Sequence, residues 1–242
     1  MRWQLVSRVQ AYFMSIKKYE DEIIRAVKMF TDARNLKETI KSLLVMDDEM
    51  HSLFTDWFVF DFKTSAGKTP LEIFYHKNLG ILLPGEREVI KNMMEYSEFG
   101  IFEYVTRREE RLRFKNLVKG ERMWAIFEDV FVDFRKGEVV AGRIIKEDNQ
   151  YVLLGNPLVF FEDSSHPVVK KFLEEEEKNA KTLAKLREEH GPPLLLEGEI
   201  LEEGKCICGR CGRIEEIGGI TIERDGSVVI LCRKCYSEKM KE

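Results

Sequence analysis

The chain has 242 residues, 44% of them hydrophobic and 34% charged, with a net charge of −4 and a pI near 5.8. That length supports two or three compact units, each with a core of its own. The acidic balance excludes a globally basic binder of nucleic acid or membrane, so any such contact must come from a local patch. The opening MRWQLVSRVQAYFMSIKKYEDE has neither an apolar signal core nor a small-residue cleavage site, and no run approaches a bilayer span, so a cytoplasmic, thiol-reducing location is expected. Lys, Glu and Arg dominate while Gln occurs only at Gln4, Gln10 and Gln150, a bias that suits a thermophile.

Residues 1–98 read as a helical region. Trp3, Leu5, Val6, Val9, Phe13, Ile16, Ile23, Ile24, Val27 and Phe30 recur at three- and four-residue steps, which predicts one long amphipathic helix or two broken near residues 18–21. A further helix is predicted over 36–54. Trp57, Phe58, Val59, Phe60 and Phe62 form the densest aromatic stretch, either a helix end or a buried extended piece. Asp56 and Asp61 sit in this apolar company. Burial against a hydrogen-bonding partner, or a cap on a neighbouring element, is the expected role; acid/base or metal chemistry is the alternative. Asp47 and His51, four apart, share a helix face and are expected to be solvated.

Ser65, Ala66, Gly67, Lys68 and Thr69 end like a phosphate-binding loop, but Phe62 stands where that loop needs its first glycine. Thr69, Pro70 and Glu72 instead predict a capping box opening a helix, and Pro84 opens another.

Residues 99–163 change period. Short strands are predicted around 101–105, 112–115, 123–127, 139–145 and 151–154, separated by charged and glycine-containing turns. Five short strands in so few residues suit a small closed barrel, SH3-like first and OB-type second. Arg107, Arg108, Arg111, Arg113, Lys115, Lys119 and Arg122 make one hairpin basic. With Phe114 and Trp124 close by, cations and an aromatic could serve nucleic acid. Over 100–160, however, eleven basic residues meet ten acidic ones, and a solvated hairpin is the preferred reading.

Several tracts carry a resemblance. Trp57-Phe-x-Phe-Asp61, the stretch from Gly67 to Phe74, the tract from Tyr96 to Tyr104, Leu117-x-x-Gly-Glu121 and Gly137-Glu-x-x-x-x-Arg143 resemble an uncharacterised prokaryotic family. The resemblance covers roughly 40–160. It implies a helical front end joined to a small β-domain, in some members with a SEC-C-type metal-binding tail, and it implies no activity.

Residues 164–190 are expected to form one charged connecting helix, with Ser164 and Ser165 offering caps ahead of Pro167, and 191–204 a linker. Residues 205–242 hold all five cysteines. Cys208-x2-Cys211 and Cys232-x2-Cys235, twenty residues apart, have the spacing of a structural four-thiolate Zn²⁺ site. Cys206 is an alternative ligand or a spare thiol. A knuckle, a hairpin turning at Asp225 and Gly226, and a second cysteine pair at a helix start predict a treble-clef finger or a zinc ribbon. Arg210, Arg213, Arg233 and Lys234 offset the charge of the thiolates or contact phosphate.

The expected fold class is therefore α+β: a helical front, a small barrel, a charged helix and a zinc finger. Four sulfur ligands leave no open metal position, and no hydrolase or nucleotide motif is complete. The expected function is a non-enzymatic zinc-binding protein that engages a protein or nucleic-acid partner. The alternatives are an enzyme using Asp56, Asp61 or Glu72, and a redox or metal sensor using Cys206.

Overall fold

In the computed structural model the chain is described at residues 2–35, 46, 48–127, 134–147, 150–190, 196–200, 205–208, 210–211, 213–222 and 228–239. Helices α1 (Arg2–Ser15), α2 (Glu20–Phe30), α3 (Asp48–Phe60), α4 (Pro70–Asn78) and α5 (Pro84–Tyr96) come first. Strands β1 (Ser97–Arg108), β2 (Arg111–Asn116), β3 (Arg122–Phe127), β4 (Val139–Glu147) and β5 (Gln150–Phe161) follow. Helices α6 (Pro167–Glu174) and α7 (Ala180–His190) lead to β6 (Leu196–Ile200), β7 (Lys205–Cys208), β8 (Ile214–Ile222), β9 (Val228–Cys232) and α8 (Arg233–Lys239).

The first periodic run breaks into two helices at Ile16, whose backbone is extended (φ −111°, ψ 109°) before a short 3₁₀ turn at Lys17–Tyr19. Most of the helix predicted over 36–54 lies outside the described residues; its end is α3. Leu53, Phe54, Thr55, Asp56, Trp57, Phe58 and Val59 are all buried in succession, so the second half of α3 is surrounded on every side. It touches α1, α2, α4, α7 and β5. The aromatic stretch is thus a helix end. Phe58 stacks on Phe54 and Phe62, with ring centres 5.7 Å away in each case, and meets Phe13 edge-on at 5.6 Å. Thr69 and Glu72 form the expected capping box of α4, each side chain bonded to the other residue's backbone N–H.

The five middle strands close into a barrel in the order β1-β2-β3-β5-β4, with β4 returning to β1. All contacts are antiparallel except β3 to β5, which is parallel. Of the two barrel types expected, this order and the parallel closure are those of the OB type. The long β1 serves both neighbours by bending at a bulge between Tyr104 and Thr106. The barrel interior holds Phe102, Tyr104, Leu112, Phe114, Met123, Phe134, Val140, Ile144 and Leu153.

The outer surface of β1, β4 and β5 is also apolar. Phe99, Ile101, Val139, Ala141, Ile145, Leu154, Val159 and Phe161 belong to the same core as the helices. The barrel is therefore clad on one side by the helical layer, which explains why β4 is buried at nearly every position rather than alternately.

Residues 164–190 depart from expectation. They form two helices rather than one spacer, and Val168, Val169, Phe172, Ala180, Leu183, Ala184 and Leu186 are buried in the main core. The chain splits near residues 175–179, and each piece carries its own buried face. Pro167 does occupy the first turn of α6, but the His166 ring, not Ser164 or Ser165, accepts from the Val168 N–H at 3.2 Å.

The final sheet closes in the order β6-β7-β8-β9. Residues 196–200, expected in a linker, are strand β6, antiparallel to β7 and parallel to β9. The Asp225 and Gly226 turn lies outside the described residues, though β8 and β9 pair antiparallel on either side of it.

Candidate functional site

The four cysteines Cys208, Cys211, Cys232 and Cys235 come together from two chain segments. Cys208 ends β7, and its N–H donates to the Arg213 carbonyl at 3.0 Å, which folds the chain back across Cys211. Cys232 ends β9, and Cys235 lies in the first turn of α8. Pairing of β8 with both β7 and β9 carries one cysteine pair to the other.

All four Sγ atoms lie within 4.8 Å of one another, with Cys211 and Cys232 at 4.0 Å, and none is in a disulfide. Four sulfurs at about 2.3 Å from a tetrahedral Zn²⁺ stand about 3.8 Å apart, so the cluster is positioned to hold a metal ion. Cys208, Cys232 and Cys235 are buried and Cys211 half-buried, with Tyr236 packed alongside.

The electrostatics of the cluster are uneven. Burial raises the Cys208 thiol, but backbone N–H groups of Cys232, Cys211 and Arg210 outweigh it and bring it to about 6. The Arg213 backbone and guanidinium lower Cys211. Burial and then the neighbouring thiols of Cys232, Cys211 and Cys208 push Cys235 up to about 12. Four sulfurs this close cannot all ionise alone, and a divalent cation supplies the missing charge.

Cys206 pairs through its backbone in β7 with Ile200 and Glu215, and its role as ligand or spare falls on a side chain outside the described set. Of the cations near the sulfurs, Arg213 lies 3.6 Å from Glu215, and Arg233 lies 2.9 Å from Glu216. Arg210 and Lys234 are exposed. Arg213 thus does what charge balance asks of it, facing both a thiolate and an acid.

The basic hairpin resolves into a face. Cross-strand register sets Arg113 opposite Trp124, Arg111 opposite Ile126 and Lys115 opposite Arg122, while β1 adds Arg108 opposite Arg111. These residues alternate with Leu112, Phe114, Met123 and Ala125, which point into the barrel, so they line the outer surface of β2 and β3. The Arg113 guanidinium sits 5.6 Å from the centre of the half-buried Trp124 ring. Arg111, Arg113, Lys115 and Arg122 form no ion pair with another described residue. Phe114, expected beside Trp124, is instead core at 1% exposure. Lys119 is held by Glu98, and Arg107 turns back to the Glu109 carbonyl at 2.9 Å.

The buried acids are satisfied. Arg143 on β4 donates to both Asp56 oxygens at 2.7–3.0 Å and to Asp61 at 2.6 Å, with Phe60 against its guanidinium. Glu72 belongs to the capping box. Asp47 lies outside the described residues, and His51 is exposed, 3.5 Å from Gln10. Sequence reasoning did not connect Arg143 with these acids. The signal was there: one charge at the centre of the apolar run Val139, Val140, Ala141, Gly142, Arg143, Ile144, Ile145.

Among the described residues no helix is long and apolar enough to cross a membrane. No curated protein and no solved structure matches the chain. A family model does match, over residues 8–188, taking in helices and barrel and stopping before the first cysteine. On that span the chain belongs to a family of unknown function, DUF7986.

Proposed function

We propose that this chain is a non-enzymatic binding protein whose barrel carries single-stranded nucleic acid across the outer face of β2 and β3, and whose C-terminal cysteines hold a structural Zn²⁺. The observation that carries the reading is the asymmetry of the barrel. Its β1–β4–β5 side is covered by helices, whereas among the described elements β2 and β3 pack chiefly on other barrel strands, and their outer face presents Arg108, Arg111, Arg113, Lys115 and Arg122 around Trp124. Cations spaced along a strand pair neutralise backbone phosphates, and an aromatic ring among them stacks a base, worth about 1–3 kcal/mol per base. The same face is where OB-type barrels take oligonucleotides. A protein partner is favoured less, because this face offers charge without a sizeable apolar centre.

Four thiolates at tetrahedral spacing suit Zn²⁺, with Cys208, Cys211, Cys232 and Cys235 as ligands. The order of knuckle, hairpin and helix supports a treble-clef module. With four sulfurs bound, the ion has no place for water and acts on folding rather than on a substrate.

The deciding experiment is fluorescence anisotropy with labelled single-stranded RNA and DNA 12-mers and the matching duplex. Expected is saturable binding to a single strand that weakens steeply with salt, and that Trp124→Ala and a paired Arg113→Glu/Arg122→Glu variant reduce tenfold or more. Unchanged affinity in both variants, or no binding at low salt, refutes the proposal. Metal quantification on protein purified without chelator tests the zinc assignment separately, with one Zn²⁺ per chain expected.

A further inference from the structure

On the helical side, away from β2 and β3, a cavity of about 360 Å³ opens between the 3₁₀ turn and start of α2, the loop before α4, and α4 itself. That volume lies in the range of small-molecule sites. Its walls are two chemistries. Tyr19, almost fully buried, and the half-buried Ile73 supply apolar surface. Lys18, Lys68 and Lys77 supply charge, with His76 beside them.

The floor is built rather than incidental. Thr64 N–H and Thr64 Oγ1 both donate to the Lys68 carbonyl, at 3.0 and 2.8 Å, and Gly67 N–H donates to the Thr64 carbonyl at 2.8 Å. Gly67 takes φ +70°, which closes this tight loop, and a Cβ there would meet nothing within 4 Å. Ser65 N–H donates to Glu22 at 2.8 Å, tying the loop to α2. Glu22, the acid in the lining, is already neutralised by Arg25 at 2.7 Å. Lys18, Lys68 and Lys77 form no ion pair with another described residue. On a chain of net charge −4, three lysines with no acidic partner among the described residues therefore line one cavity.

We propose that this cavity binds a small phosphorylated molecule, an organic phosphomonoester whose dianion is held by Lys18, Lys68 and Lys77 and whose body rests on Tyr19 and Ile73. Three point-charge donors on flexible stems suit a phosphoryl group with three equivalent oxygens, where a planar carboxylate would be better served by an arginine fork. The apolar wall and the volume leave room for more than an inorganic ion. The site reuses the Ser65-to-Thr69 stretch without making it a nucleotide-binding loop. The lysine belongs to a capped hairpin-like turn, and Thr69 is committed to capping α4.

The test is an amide NMR titration of the full chain with phenyl phosphate, inorganic phosphate and benzoate as probes. Expected is saturable binding of phenyl phosphate with a Kd of about 1 mM or tighter. The shifts should centre on residues 64–68, Tyr19 and His76. Inorganic phosphate should bind several-fold weaker and benzoate weaker still. Lys68→Glu/Lys77→Glu should weaken phenyl phosphate at least tenfold. If that pair disturbs the fold, Lys68→Gln/Lys77→Gln carries the same comparison with a smaller expected loss. Equal affinity for benzoate, shifts scattered over unrelated lysines, or a variant that binds like the wild type would each overturn the assignment. The β2–β3 variants Trp124→Ala and Arg113→Glu/Arg122→Glu should leave phenyl phosphate binding unchanged, which keeps this site distinct from the nucleic-acid face.

Discussion

Arg143 on β4 and Asp56 on α3, 87 positions apart, form a buried fork-to-carboxylate contact in which both Asp56 oxygens accept from one guanidinium. Arg143 is 2% exposed and Asp56 0%, and Asp61 shares the same cation. Two carboxylates on one arginine make the cluster unequal in its response to loss. Arg143→Leu strands two acids, one of them fully buried, and should cost about 3–5 kcal/mol. Asp56→Asn leaves a balanced Arg143–Asp61 pair and should cost about 1 kcal/mol. Urea melts of both variants at neutral pH check this, and equal losses would contradict the two-to-one stoichiometry.

The same stoichiometry gives a pH dependence. Burial pushes the Asp56 carboxyl up to about 6, Arg143 opposes that rise, and Asp61 adds to it. An acid with a raised folded value binds its proton more tightly when folded. Its stabilising contribution is complete below about pH 4 and is lost as pH rises through about 6. Wild-type stability relative to Asp56→Asn should therefore decline between about pH 4 and 7. Denaturant midpoints of the two proteins across that range test the slope, and a constant gap would remove Asp56 as its source.

Phe114 and Trp124 are neighbours in sequence register but opposite in role. Phe114 fills the barrel interior against Phe102, Tyr104 and Phe134, so Phe114→Ala should lose about 3–5 kcal/mol. Trp124→Ala, on the outer face, should lose far less stability while abolishing most single-strand binding. Thermal melts paired with anisotropy separate the two, and a Trp124→Ala variant that unfolds with Phe114→Ala would place the ring in the core.

Metal removal should be local. The three tryptophans, Trp3, Trp57 and Trp124, all precede the cysteines. A strong chelator should abolish amide protection over 205–222 and 228–239 while leaving tryptophan emission and its melting transition unchanged. Hydrogen exchange with and without chelator reads this, and simultaneous loss of both signals would show that the cysteine module supports the body of the fold.

Thr69 closes the α4 cap from both sides. Thr69→Ala removes the hydroxyl that accepts from Glu72 N–H and loosens the reciprocal bond, so a loss of about 1 kcal/mol is expected, visible as a lowered melting temperature.

Local chemistry was the readable part of this sequence. The cysteine spacing marked the four clustered sulfurs, the Thr69–Glu72 box marked α4, and short apolar runs between turn signals marked all five barrel strands, because each depends on residues close in the chain. What escaped depends on residues far apart. The parallel contact of β3 with β5 is fixed by how strands pack after the turns are made, and no local pattern distinguishes the two barrel types considered. Arg143 could be seen as an odd charge in an apolar strand, but its partners lie on a helix and just past its end, more than eighty residues earlier. Helices α6 and α7 were underestimated because a sparse apolar stripe gains meaning only beside the surface it covers.

The cladding of the barrel also bears on how the chain can be divided. A cut between α5 and β1 would bare the outer wall of Phe99, Ile101, Val139, Ala141, Ile145, Leu154, Val159 and Phe161 to water. At the middle of that wall it would leave Arg143 without a counter-ion. The other fragment would keep Asp56 and Asp61 without their cation. Neither half is a self-sufficient module in the sense that an expression boundary or a recombination event requires. The barrel and the helices before and after it should therefore be inherited, expressed and engineered as one piece, with the cysteine module as the part that can be exchanged.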